Sequence, residues 1–248
     1  RIAPGIAEIE SELVQVDTVN ATANTITVAP YGRAYSGTTA VSHSANVQIT
    51  NNPKWPRLTI KQALNNTIAQ VSGEHLFAVA TTSFTFVAAT YQYALPSTAQ
   101  GVVGVRIEDS DSKWLEVNTW RYDSFSNTTD FTSGKTILLP SDLRAGRTVE
   151  VRYRKDLTAL SANSDVFDTV TGLPDSCKDV IVLGAVWRLL SMIDATVIEI
   201  DAVSAQDLDG KTPPGAGGAI ARTVFQMFSL RLSEEKRKLQ NRYPARVH

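Results

Sequence analysis

The sequence predicts an α+β protein: a small helical bundle of three main helices with an N-terminal β meander and a large inserted antiparallel β domain. Two observations support this fold class. Residues 77–154 contain short β-branched and aromatic runs separated by turn residues, a spacing typical of a sandwich or barrel. Residues 59–76 and 173–241 instead repeat apolar residues at helical intervals. The sequence divides into four predicted units. The β meander with a proline-rich linker spans 1–57, the first bundle helix 58–76, the β insert 77–172, and a helical hairpin with a basic C-terminal arm 173–248.

The N-terminal unit is predicted from alternation. The segments "SELVQVDTVN" and "NTITVAP" alternate apolar and polar residues, and "NVQIT" is predicted to return as a strand. The small, hydroxylated segment "GRAYSGTTAVSHSA" between them is predicted to be a loop. Pro53 and Pro56 interrupt regular structure and precede the first helix, for which Thr59 is the predicted N-cap.

Two further helices are predicted after Leu173. In the first, Pro174 lies near the start, Asp175 or Ser176 is the predicted cap, and the apolar stripe is wide. The segment "DLDGKTPPGAGG" is predicted to be a linker because of its glycines and prolines. The last helix is predicted from about Ala219 to Asn241. The predicted core-facing residues of these two helices are Val180, Val182, Leu183, Val186 or Trp187, Leu189, Leu190, Ile193, Ile220, Val224, Met227, Phe228 and Leu232.

Charge is distributed unevenly along the chain. Formal net charge is −1, so the molecule as a whole is not a polyanion-binding protein. From Arg222 onward, however, seven Lys and Arg residues face two Glu residues, which gives +5 there and −6 for the remainder. Such asymmetry has two interpretations: a solvated helix face, or a basic terminus that docks on a partner.

The sequence contains no motif for catalysis or for a cofactor. A lone cysteine, Cys177, and three widely separated histidines predict neither a disulfide nor a metal site. The "GKT" at 210–212 lacks the upstream glycine of a phosphate-binding loop. His43 and Ser44 lie in one loop without an orienting third group, which argues against a hydrolytic set. No apolar run is long enough for a membrane span, and no signal peptide is recognisable.

Two residue sets have open interpretations. Glu8, Glu10 and Glu12 are predicted to share one strand face, either as a paired-carboxylate site or as ordinary exposed charge. The aromatic residues of the insert are either core or a sugar-binding platform built on Trp114 and Trp120.

Three blocks of sequence resemble one family. They are "GRAYSGTTAVSHSANVQITNNPKWPRLTIKQALNNTI", "LPDSCKDVIVLGAVWRLLS" and "FQMFSLRLSEEKRKLQNRYP". Their order, and the way they bracket a β insert, resemble the head-to-tail adaptor (connector or neck) proteins of long-tailed bacteriophages.

This resemblance implies a structural virion protein at the neck, assembled in the host cytoplasm, that is not an enzyme and needs no cofactor. The implied partners are further copies of itself in a ring of about twelve, the portal protein, and the next neck or tail-completion protein. Double-stranded DNA would pass through the ring without sequence-specific binding, and no membrane is involved. The resemblance further implies that the terminal arm reaches the portal. The charge of this arm suits acidic grooves on the portal, and its candidate contact residues are Arg237, Lys238, Arg242 and Arg246, with Tyr243 as an anchor.

Two alternatives remain at this point. A tail-tube or tail-completion protein is the alternative within the virion, although the two helices after Leu173 argue against a mostly β protein. A carbohydrate-binding module is the alternative of another class, with Trp114 and Trp120 stacking on sugar.

Overall fold

The predicted fold class is confirmed. The computed structural model describes residues 3–109, 113–201 and 216–244. Within them, four helices and three antiparallel sheets form an α+β fold. Among these residues no helix is long and apolar enough to cross a membrane.

The N-terminal unit is a four-stranded sheet with the order β3-β2-β1-β4. Strands β1 and β2 form a hairpin, β3 continues the meander, and β4 returns to pair antiparallel with β1. The sheet buries Ala7, Val14 and Val16 on one side. Its strands are β1 (Gly5–Ile9), β2 (Glu12–Asn20), β3 (Thr25–Val28) and β4 (Ile49–Asn51).

A carboxylate from this sheet begins the first helix, α1 (Arg57–Val71). The Oε1 atom of the buried Glu8 accepts a hydrogen bond of 2.6 Å from the backbone N–H of Arg57. A negative charge at a helix N-terminus satisfies a free donor and complements the helix dipole. The prediction that Thr59 caps this helix is therefore wrong: Thr59 lies inside the first turn, and the cap comes from a residue about fifty positions earlier.

The β insert consists of two antiparallel sheets around one core. One sheet has the order β5-β11-β7-β8 and the other the order β6-β10-β9. Phe86, Ile137 and Val151, which come from both sheets or their ends, are almost fully buried together. The arrangement is that of a small sandwich. Its strands are β5 (Ala78–Thr85), β6 (Gln92–Ala94), β7 (Gly101–Glu108), β8 (Trp114–Val117), β9 (Arg121–Asp123), β10 (Thr136–Leu138) and β11 (Thr148–Lys155).

The bundle follows the insert after a short helix, α2 (Phe167–Thr171), in a region for which only β structure had been predicted. Helix α3 (Lys178–Asp201) and helix α4 (Ala216–Arg242) pack as an antiparallel hairpin, and α1 packs on α3. Helix α4 begins at Ala216 and so includes Gly217 and Gly218, which had been assigned to the linker. The neighbouring "GKT" lies outside the described residues.

Gly184 is the point at which the three main helices meet. A Cβ atom at this position would lie 2.4 Å from Thr67 Cγ2 on α1 and 3.0 Å from Phe228 Cε2 on α4. Only a residue without a side chain permits so close an approach. Next to it, Arg188 of α3 donates hydrogen bonds to Gln70 Oε1 at 2.7 Å and to Thr67 Oγ1 at 3.3 Å, which fixes α1 against α3.

Candidate functional site

The C-terminal half of α4 is not held away from the body of the protein. Glu235 and Leu239 are almost completely buried, and Leu239 belongs to the core that α3 and α1 share. From its charges this half had been interpreted either as a solvated helix face or as a basic terminus that docks on a partner. It is not solvated all round, because Glu235 and Leu239 reach the core while Arg237 and Lys238 between them are exposed.

Glu235 is the polar centre of this contact. Its carboxylate accepts hydrogen bonds from Lys238 Nζ at 2.6 Å, from Ser176 Oγ at 3.0 Å and from Arg231 Nη2 at 3.2 Å. Burial opposes ionisation of Glu235, but the hydrogen bonds from Lys238 and Ser176 outweigh it and lower the pKa of its carboxyl. Burial, with the carboxylate of Glu235 nearby, raises the pKa of the Cys177 thiol to about 11. The lone cysteine is therefore a neutral core residue at physiological pH.

The end of α4 is fixed to the β insert. The ring of Tyr243 lies 6.4 Å from that of Phe77, and Arg154 Nη2 on β11 donates a hydrogen bond of 2.9 Å to the Tyr243 carbonyl oxygen. Arg154 stacks its guanidinium over Phe77 as well, at 4.3 Å from the ring centre. Its burial lowers the pKa of its guanidinium. These contacts join the bundle to the insert at the point where the described chain ends.

The residues predicted for portal binding divide into three groups. Arg237 and Arg242 are exposed, and Arg242 lies over the Tyr243 ring at 5.4 Å. Lys238 is largely exposed but its Nζ is held by Glu235, and Tyr243 is partly buried against Phe77. Arg246 lies outside the described residues. Four of the five thus lie at the C-terminal end of α4, and Arg237 and Arg242 are the two whose guanidinium groups form no ion pair with a described residue.

Helix α4 carries a second apolar face that is exposed in the described part of the chain. Ile220, Met227 and Leu230 are 54%, 51% and 66% exposed, and we call them the ridge. Ile220 and Met227 had been predicted to face the core. They do not, because the core-facing line of α4 runs through Ala221, Phe228, Glu235 and Leu239.

A groove lies on another side of the bundle, between α1, the start of α3 and the segment that leads into α2. It has a volume of about 420 Å³ and an apolar floor that includes Leu64, Phe167 and Ile181. Ile60, Val166 and Val182 line it and remain 37%, 62% and 45% exposed. Val182 had been predicted to widen the buried stripe of α3, and either Val186 or Trp187 to belong to it. Val182 and Val186 are exposed and Trp187 is partly buried, because the side of α3 that faces α1 and α4 runs through Ile181, Gly184, Ala185 and Leu189.

A buried carboxylate organises the long loop of the N-terminal unit. Glu12 is completely buried and accepts hydrogen bonds from Arg33 Nε at 2.6 Å and Nη2 at 2.9 Å. The backbone N–H groups of Ala34 and Val41 add bonds of 3.0 and 3.1 Å. The hydrogen bond from Arg33, supported by those of the backbone and His43, holds the pKa of Glu12 far below its ordinary value. The loop around it contains several non-glycine residues with positive φ: Tyr31, Ala34 and Ser36.

His43 completes this cluster. Its Nδ1 lies 2.9 Å from Glu10 Oε2, and its Nε2 lies 2.9 Å from Glu12 Oε2. Carboxylates only accept hydrogen bonds, so both ring nitrogens must carry a proton for both contacts to form. The contact with Glu10, followed by that with Glu12, raises the pKa of His43. The protonated form of His43 is therefore the one that links Glu10 to Glu12, a structural role rather than that of a catalytic base beside Ser44.

The prediction that Glu8, Glu10 and Glu12 share a strand face is wrong. Glu8 belongs to β1, Glu12 begins β2, and Glu10 lies in the turn between them. Their roles are to cap α1 and to organise the loop. No local motif signals these roles, since the partners of Glu12 lie 21–31 residues away in the sequence.

No group of three or more His, Cys, Asp and Glu side chains among the described residues is suited to a metal ion. Trp120 is 6% exposed in the core of the insert, whereas Trp114 is 39% exposed beneath the guanidinium of Arg106. The two indoles cannot form a joint stacking surface, so the carbohydrate-binding alternative loses its basis. For the aromatic cluster the core interpretation holds for Trp120 and Tyr153, but not for Phe125.

The chain's sequence supplies the decisive comparison. Residues 38–247 match the model of the SU10 adaptor protein family. The chain belongs to this family. It is accordingly a structural adaptor protein of a bacteriophage, and its membership favours a role in assembly over one in catalysis. No curated protein matches the chain.

Proposed function

We propose that this SU10-family adaptor forms a ring, of about twelve copies, that joins the portal to the neck or tail and extends the DNA channel. The observation that carries the proposal is the family match, which covers most of the chain. An adaptor of this kind functions by binding other proteins through its exposed surfaces. The exposed ridge on α4 and the groove beside α1 are surfaces of that kind, since contiguous exposed apolar groups in a folded protein commonly mark interaction sites.

The C-terminal end of α4 is our proposed portal contact. It concentrates basic residues at one end of a helix that is anchored to both the bundle and the insert. A rigidly held basic surface can pair with acidic side chains at little cost in conformational entropy. In this proposal Arg237 and Arg242 make the charge contacts, Tyr243 shapes the surface, and Lys238 and Arg246 contribute at its border.

The rest of the chain, with net charge −6, suits passage of DNA. A channel wall with acidic excess repels phosphate and keeps the duplex from adhering. The proposed next neck or tail-completion protein would meet the opposite axial face of the ring. If a ring structure showed all Asp and Glu residues on the outer surface, this part of the proposal would be wrong.

Charge reversal tests the portal contact better than truncation does, because removing the residues after Leu232 would also remove the buried Glu235 and Leu239. The test variant is Arg237→Glu/Arg242→Glu, and the matched control is Arg121→Glu/Arg144→Glu, which reverses two exposed arginines of the insert. Each would be mixed with purified portal rings, and co-sedimentation would be measured at low and at physiological salt.

We expect the test variant to lose binding at least tenfold while the control binds as the wild type does. Equal binding by both variants would contradict the assignment of the portal contact. Failure of the wild-type chain to bind any portal ring would contradict the adaptor function itself.

A further inference from the structure

Helix α4 has more apolar residues than the residues described in the structure cover, and the uncovered ones are spaced as in a helix–helix contact. Ile220, Met227 and Leu230 lie at i, i+7 and i+10, and Thr223 fills i+3. This is the alternation of three and four residues by which one helix packs on another. All three apolar members are more than half exposed although the opposite side of the helix is packed on α3. The ridge is therefore shaped for a contact outside the chain.

The groove has the complementary shape. Its apolar floor is flanked by the exposed side chains of Ile60, Val166 and Val182, so it offers three apolar contacts to a helix lying along it. An amphipathic helix laid into an apolar groove is a recurrent mode of protein recognition. Ridge and groove are formed by different helices, so a single copy cannot join them to each other without unpacking its bundle.

We propose that the ridge of one copy binds in the groove of the next copy, and that this contact builds the ring. The inference rests on the proposed function and assigns the lateral interface within it. A surface that meets a different surface on its neighbour is heterologous, and such contacts close into a ring when the rotation per copy permits. An isologous contact of ridge with ridge would stop at a dimer.

Charge favours this occupant. The mouth of the groove contains Arg57, Lys61 and Lys178 against one acidic residue, Asp165. Between Ile220 and Ser233 the ridge helix has two cations. The exposed Arg222, two positions after Ile220, lies on the opposite side of the helix from it, so it does not face the groove with the ridge. Arg231 is held by Asp179 on α3 and by Glu234 and Glu235 on its own helix. The face of the ridge thus presents no unpaired cation to a cationic groove. One turn beyond Leu230 it brings the half-exposed carboxylate of Glu234.

Two complementary variants test the contact. Met227→Asp/Leu230→Asp breaks the ridge and leaves the groove intact, whereas Val166→Asp/Val182→Asp breaks the groove and leaves the ridge intact. The control, Val87→Asp/Phe125→Asp, places the same charges at exposed apolar sites of the insert. All are measured by native mass spectrometry and sedimentation at concentrations where the wild type is fully assembled. Thermal unfolding checks folding, and serine replaces aspartate in any variant that unfolds early.

We expect the wild type and the control to form the same closed oligomer and each broken variant to remain at the monomer mass of 27.0 kDa. An equimolar mixture of the two broken variants has one intact ridge and one intact groove, so it should give dimers of twice that mass and nothing larger.

Three results would overturn the inference. Normal assembly of either broken variant, or a mixture that forms no dimer, would show that ridge and groove are not partners while leaving self-assembly intact. A wild-type chain that stays monomeric at every concentration would instead remove the proposed ring, and this inference with it.

Discussion

The β insert and the helical bundle differ in what their surfaces leave uncovered. The insert closes two sheets over one core, and its exposed apolar residues are dispersed: Tyr91 and Phe125 lie beyond opposite ends of β10. The bundle instead leaves apolar residues in a ridge on one helix and along a groove formed by others. The apolar residues of the insert are therefore used mainly within its own core, whereas the bundle keeps two apolar surfaces exposed, and these are the surfaces that we propose a neighbouring copy covers.

The largest expected effect tests whether the insert holds a core of its own. Phe86→Ala removes a side chain that is 1% exposed, and we expect it to cost about 3–5 kcal/mol of unfolding free energy. Hydrogen exchange should accelerate in β5, β7 and β11 and change little in α3. An equal acceleration in α3 would mean that insert and bundle form a single cooperative unit.

A smaller effect is expected at the meeting point of the helices. Gly184→Ala places a methyl group against Thr67 and Phe228, and overpacking of this kind costs roughly 1–3 kcal/mol. Gly104→Ala is the matched control, because a Cβ atom on that residue of β7 would meet nothing within 4 Å. Chemical denaturation of both variants measures the difference. Equal stability of the two would contradict the close approach of α1, α3 and α4.

The next effect depends on pH. Contact with Glu10 and Glu12 raises the pKa of His43 in the folded chain above its unfolded value of about 6.5. The stabilisation by His43 is therefore complete below that value and is lost as pH rises through the folded pKa. We expect His43→Gln to cost about 1–2 kcal/mol at pH 6 and less at pH 9.

Unfolding free energies of wild type and variant across this pH range provide the measurement. Glu10→Gln removes one of the two carboxylates and should lower the pH at which the wild-type advantage disappears. A cost of His43→Gln that is constant from pH 6 to pH 9 would argue against a charged His43.

The smallest effect separates the two faces of α4. Leu230→Ser changes an exposed residue of the ridge and should alter the stability of the isolated chain by no more than about 0.5 kcal/mol. Phe228→Ala, two positions earlier on the buried face, should cost several times more. Thermal unfolding below the assembly concentration gives both values, and a large loss for Leu230→Ser would place the ridge inside the fold.

Sequence periodicity predicted the elements better than their partners. The α+β class and the α3–α4 hairpin follow from apolar spacing within each segment, and both are present. Ile220 and Met227 were assigned to the core because helical spacing identifies an apolar face but does not show whether that face packs inside the chain or stays exposed. The sequence nevertheless indicates a second apolar face on α4. Leu230 and Phe228 are two positions apart and so lie on opposite sides of the helix, which means that they cannot both face α3.

The Glu12 cluster could not be predicted from sequence periodicity at all. Its donors are an arginine, a histidine and two backbone N–H groups that the fold brings together from a loop. Their spacing in the sequence follows no helical or strand period, so only tertiary structure reveals that the hydroxyl-rich loop is organised around one buried carboxylate.

The most direct test of the account is the mass of the complex that the purified chain forms with isolated portal rings. Native mass spectrometry should find one species, in which a closed ring of adaptor copies, twelve by our proposal, is bound to a portal ring with one adaptor for each portal subunit. An adaptor that remains a monomer beside intact portal rings would contradict it.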